Sequence, residues 1–195
     1  MEDFERRGLN ASLRAAGLAV DVVTVNAHLG YYYRRTVIDR LMEDVLRPAR
    51  AQGYRRIVVV GISLGGLGGL LIEREHPGTV DALVLLSPYV GDREDLFKTI
   101  GDAGGPSAWA ANRSERAGDV QEQVWTFLGQ RSDRLPSTWL FTGASDRLLP
   151  GQRLLAGLLP PDRVRIVPGR HDWATWRVLW EEICRTSPVF AAERT

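Results

Sequence analysis

Residues 55–78 read RRIVVVGISLGGLGGLLIEREHPG, and the order of residue types in this stretch decides the fold. Ile57 to Ile62 is a nearly continuous β-branched run, the pattern of a strand buried on both faces of a parallel sheet. The segment beginning at Leu64 then reads as a helix, and His76-Pro77-Gly78 closes it, with His76 placed near the helix's negative end. A strand that feeds directly into a helix is half of a β-α-β unit.

The same rhythm continues on both sides. Toward the N-terminus, residues 3–17 place Phe4, Leu9 and Leu13 at helical spacing before Gly17, and residues 18–25 (LAVDVVTV) read as another buried strand. Residues 35–52 set Val37, Ile38, Leu41, Val45 and Leu46 on one helical face, despite Pro48. Toward the C-terminus, DALVLLSP (81–88), STWLFTG (137–143) and RVRIVPG (163–169) read as strands. Residues 150–159 and about 172–184 read as helices, the second carrying Trp173, Trp176 and Trp180. Residues 89–135 break the pattern. They are rich in Gly, Asp and Arg, and only QEQVWTFLGQ stands out as a helix, so the segment is read as an insertion. The expected architecture is a single α/β domain over residues 1–195, an open and mostly parallel sheet with helices on both faces and a small lid at about 89–135.

Composition narrows the function. In 195 residues, 44% are apolar and 25% charged, which is globular, and 25 Lys plus Arg against 24 Asp plus Glu leaves no basic surface for nucleic acid. Cys184 is the only cysteine, so an intrachain disulfide and a CxxC site are both excluded and a reducing, cytoplasmic setting is expected. His28, His76 and His171 are scattered and form no metal-binding pattern, so neither a metal nor a cofactor is expected. No apolar run approaches the ~18 residues of a membrane span, and the charged start MEDFERRGLN is unlike a signal peptide. The glycines after Ser63 match neither nucleotide-binding pattern.

Chemistry concentrates at three places. Gly61-Ile62-Ser63-Leu64-Gly65 is a G-x-S-x-G at a strand-to-helix junction, where a strained turn lifts the serine hydroxyl clear of the sheet and the flanking glycines avoid Cβ collisions. The Leu64 N–H, at the head of the following helix, is the expected oxyanion donor. Asp146 follows the strand STWLFTG and His171 follows RVRIVPG, so all three residues fall on the carboxyl rim where open α/β sheets bind ligands. The bland alternatives are a helix cap for Asp146 and a cap or core position for His171. Asp172 is a second candidate acid, but a residue adjacent to a histidine seldom reaches that histidine's own inner nitrogen. His28 and Tyr31 to Tyr33 follow the strand at 18–25 and are candidate substrate contacts, as is Trp109 in the insertion. Phe97, Trp109 and Trp125 would either wall an acyl pocket or form the lid's own core.

Three motifs, VVVGISLGG, TGASDRLLP and PGRHDWATW, resemble the α/β-hydrolase superfamily, in particular its small serine hydrolases with a short lid. The resemblance spans about Asp3 to Arg185 and has the family's chain order of Ser, Asp, His. It implies a small-molecule acyl substrate, an ester or thioester. Ser63 would attack the carbonyl, His171 would relay the proton, and Asp146 would orient the imidazole. One departure stands out. The residues at 3–17 match the helix that follows the family's oxyanion loop, so the strands and loop before it are absent, including an interior strand. Met1 is accordingly expected to be an internal start within a longer gene product, in preference to the start of a truncated homologue that repairs its sheet some other way, and the short chain to be poorly soluble and nearly inactive. The rival from another class is a non-catalytic or inactive truncated domain that binds without reacting, with Ser63 and His171 pointing apart. A perhydrolase, lyase or acyltransferase on the same fold is a third reading.

Overall fold

In the computed structural model, which describes residues 2–193, the β-branched run becomes strand β1 (Val58–Ile62). It is followed by β2 (Ala82–Leu86), β3 (Ser137–Gly143) and β4 (Val164–Val167). All pair in parallel in the order β1-β2-β3-β4, with Val58 opposite Ala82, Leu86 opposite Phe141 and Gly143 opposite Val167. Parallel neighbours cannot be joined by a tight turn, and helical crossovers fill each gap: Leu64–Glu75, the insertion, and Leu149–Ala156. The open parallel α/β sheet expected from the alternation is present. All five side chains of β2 are at 0% exposure, as a central parallel strand requires, whereas β1 at the edge leaves Val60 exposed.

The chain divides into two compact units, residues 1–55 with 172–195 and residues 56–171. The sheet and its crossovers lie in the second. There, Glu73 is buried within the Leu64–Glu75 helix and accepts from the N–H groups of Gly78 (3.0 Å) and Val80 (3.3 Å), fastening the turn after His76. The insertion holds more helix than its composition suggests: Glu94–Asp102, Pro106–Ala110 and Val120–Arg131. Gly101, Gly104 and Gly105 cut the first two too short to recognise by periodicity. The third begins with a capping box, Asp119 accepting from Gln121 and Glu122 N–H while Glu122 accepts from Asp119 N–H.

In the first unit, the helix expected at 3–17 is two helices, Glu2–Arg6 and Leu9–Ala15, separated where Gly8 adopts φ 77°. The strand expected at 18–25 is a misreading. Residues 19–28 carry no sheet pairing, and Val22, Val23 and Val25 are exposed. A β-branched run becomes a strand only when a neighbour takes up its backbone groups, and among the described residues this run has only a single bridge, at Leu18. The helix expected at 35–52 runs as Val37–Leu41, a π turn at Met42–Leu46, and Arg47–Ala51. The widened turn directly precedes Pro48, whose ring and missing N–H a regular α turn rejects. The final helix, Trp173–Thr186, covers the Trp-rich stretch, and Trp180 Nε1 donates to the Leu9 carbonyl at 2.9 Å. Among the described residues no helix is long and apolar enough to cross a membrane.

Candidate active site

Ser63 is the single residue between β1 and the helix that begins at Leu64, and its backbone sits at φ 51°, ψ −115°, a region that costs a non-glycine residue of order 1–3 kcal/mol. The strain persists because the surroundings fix it. Ser63 N–H donates to the Leu86 carbonyl at 2.9 Å, and its own carbonyl accepts from Gly66 (2.9 Å) and Tyr89 (2.8 Å). A Cβ on Gly61 would lie 2.6 Å from Gly66 Cα, so glycine is required there. The matching role expected of Gly65 is not found, since a Cβ on Gly65 would meet nothing within 4 Å. Gly66 is the tight position instead, its Cβ falling 2.6 Å from Pro88 Cβ. The steric demand moved by one residue because the elbow packs against the loop after β2.

Asp146 and His171 are brought together by the loops that leave β3 and β4. Ala144 N–H donates to the Val167 carbonyl (2.7 Å) and Ser145 N–H to the Gly169 carbonyl (2.8 Å). The two loops touch so closely at Gly143 that a Cβ there would lie 2.9 Å from Arg170 N. On this frame Ser63 Oγ lies 2.9 Å from His171 Nε2, and His171 Nδ1 lies 2.9 Å from Asp146 Oδ2 and 3.0 Å from Oδ1. The Asp146 side chain is fully buried and that of His171 is 10% exposed, so the hydrogen bonds are shielded from water while the imidazole stays reachable.

The electrostatics agree with this arrangement. Burial raises the Asp146 carboxyl, but hydrogen bonds from His171 and the Leu148 N–H (2.8 Å) outweigh it, and the net effect holds the group below the ordinary carboxylate range. An ionised carboxylate on Nδ1 favours the tautomer whose Nε2 lone pair faces the Ser63 hydroxyl. Chemically, the constellation can take a proton from an alcohol and return it to a leaving group. Asp172 plays a different part, since its carboxylate accepts from Thr175 N–H at 2.9 Å and caps the final helix.

The other expected site residues are placed as follows. Leu64 begins the helix behind Ser63. His28 and Tyr31 belong to the first unit, where His28 Nδ1 accepts from Gly30 N–H at 3.1 Å and caps the short Leu29–Tyr33 helix. Their rings stack at 4.6 Å between centroids. Trp109 is 7% exposed, with the Arg113 guanidinium 3.9 Å above its ring, and packs within the insertion. Trp125 is fully buried, edge-on to Phe97 at 5.9 Å. Among the described residues no group of His, Cys, Asp and Glu is arranged to hold a metal.

Three residues near the acid were not foreseen: Ser87, Thr142 and Gln152, each at 0% exposure. A signal existed for Gln152, which falls on the apolar face of its helix between Leu149 and Leu155, where a polar side chain needs a buried partner.

The "Putative esterase" family model matches residues 23–185 of the chain. No curated protein matches it. Among solved structures, a ferulic acid esterase superposes with a TM-score of 0.55 at 15% identity, covering 96% of this chain and 80% of its own. The peroxisomal alpha-beta-hydrolase Lpx1 from Saccharomyces cerevisiae gives 0.50 at 16% identity, covering 92% and 72% respectively. At these identities the structural likeness speaks for the fold, and the family match speaks for the activity. The chain therefore belongs to the esterase family, as an α/β-hydrolase-fold enzyme that hydrolyses esters.

Proposed function

We propose that the enzyme works through an acyl-enzyme formed on Ser63, with His171 as general base and acid and Asp146 as the group that orients the imidazole. The observation that carries this reading is the continuous contact from Ser63 Oγ to His171 Nε2 at 2.9 Å and from His171 Nδ1 to Asp146 at 2.9 Å. A non-catalytic binding domain has no need of this alignment, nor of the strained backbone at Ser63. In the first step the Ser63 hydroxyl attacks the ester carbonyl as its proton passes to His171 Nε2. The oxyanion gathers beside the Leu64 amide, where the helix dipole favours negative charge. Collapse expels the alcohol with the proton from His171, and water then repeats the cycle to release the acid. The insertion at 89–135 serves as the lid, and the substrate is a small carboxylic ester or thioester. The chain acts in a reducing, cytoplasmic setting, a reading supported by its lone Cys184 being buried.

A common acyl-enzyme has a kinetic signature. With esters that share one acyl group but differ in leaving alcohol, added methanol should capture a constant fraction of product, because every substrate passes through the same intermediate. A fraction that changes with the leaving group would refute the covalent step.

The pH dependence has a defined sign. His171 must be neutral to accept the serine proton, so kcat/KM rises with pH as the imidazole deprotonates. Asp146, held below the ordinary carboxylate range, adds no further limb above that range. A second acid limb there, lost in Asp146→Asn, would contradict the assignment.

A further inference from the structure

Behind Asp146 lies a chain of buried polar side chains whose protons can be assigned. Gln152 Nε2 donates to the Pro88 carbonyl at 3.2 Å, which fixes the amide so that its Oε1 faces Thr142. That oxygen only accepts, so the Thr142 hydroxyl, 2.5 Å away, must donate to it. Thr142 Oγ1 also lies 3.4 Å from Asp146 Oδ2, but its one proton is already committed. Ser87 Oγ lies 3.3 Å from Thr142 Oγ1, and with the Thr142 proton committed to Gln152 it is Ser87 that donates in this contact. All of these groups are cut off from water, where unpaired donors and acceptors are costly and hydrogen bonds are strong.

We propose that Gln152 is a positioning residue for the acid: by drawing the Thr142 proton onto its own carbonyl, it reserves the Asp146 carboxylate for Leu148 and His171. The inference rests on the Ser63-His171-Asp146 reading of the site. Each donor on a carboxylate lowers its basicity and loosens its hold on the imidazolium. Gln152 therefore keeps one competing donor away from Asp146. Removing Gln152 should lower the acid limb of kcat/KM.

The experiment records kcat/KM against pH for the native enzyme and for Ser87→Ala, Gln152→Met, Thr142→Val and the Thr142→Val/Gln152→Met double variant. Melting temperature and fluorophosphonate labelling of Ser63 are measured on each. In Ser87→Ala the acid limb should stay in place, because Ser87 donates to Thr142 and not to the carboxylate. In Gln152→Met it should fall by about half a pH unit, because the freed Thr142 hydroxyl turns to Asp146. Thr142→Val should leave the limb in place and cancel the effect of Gln152→Met in the double variant.

A limb that stays put in Gln152→Met while the melting temperature drops would show a purely structural role and overturn the proposal. So would a limb that moves in Ser87→Ala. A Gln152→Met chain that fails to fold leaves the Thr142→Val profile to decide, since a limb that rises there shows Thr142 already donating to Asp146 and contradicts the proton assignment. Failure of the underlying site reading is separately visible, as hydrolysis that persists in an enzyme unlabelled at Ser63.

Discussion

Ser63→Ala should reduce ester hydrolysis by about 10⁶-fold, the scale on which removal of a serine nucleophile disables a working triad. The substitution deletes one oxygen and leaves the sheet, the loops and the His171–Asp146 contact untouched. The melting temperature should change little, since alanine leaves the packing of the turn in place and removes only the part-buried hydroxyl that contacts His171. The comparison with native enzyme is made on one activated ester under identical conditions. Substantial residual turnover would mean that another residue attacks the ester.

Asp146→Asn should cost up to about 10⁴-fold in kcat, because an amide facing His171 Nδ1 favours the tautomer that points N–H rather than a lone pair at Ser63. The loss belongs to kcat and not to KM, as the carboxylate is fully buried and orients the base. A loss of less than about tenfold would transfer the role to another carboxylate. The same substitution has a stability consequence. The Asp146 carboxyl is held below its ordinary value in the folded chain, so it stabilises the fold above the ordinary carboxylate range, and that contribution fades as pH falls through the lowered value. The acid-side decline in stability should be shallower in Asp146→Asn than in the native enzyme.

The parts of this site that could be read from sequence are those in which local chemistry determines local structure. A β-branched run ending in G-x-S-x-G has few ways to fold, and the strained backbone at Ser63 followed from residue types within five positions. Asp146 and His171 were legible because each directly follows a strand, and the parallel order of β1, β3 and β4 brings their carboxyl ends to one rim.

What was not legible depends on neighbours distant in sequence. Residues 18–25 have strand composition, but a strand needs a partner, and composition does not say whether one exists. Gly65 and Gly66 are indistinguishable in sequence; only the position of Pro88 makes the second the crowded one. The short helices at Glu94–Asp102 and Pro106–Ala110 are stabilised by packing rather than by length, as where a Cβ on Gly129 would lie only 2.6 Å from Ala110 Cβ, so that glycine alone permits the close approach. Thr142 and Gln152 gain their meaning from a hydrogen bond ten residues apart that joins a strand to the helix after it.

The most direct test of the account is to treat the native enzyme with a fluorophosphonate, digest it and locate the adduct by mass spectrometry. The account expects one phosphonyl group per chain, on Ser63, formed in step with loss of ester hydrolysis and absent from Ser63→Ala. Complete loss of hydrolysis with the adduct on any other residue, or undiminished hydrolysis in a chain fully labelled at Ser63, would contradict it.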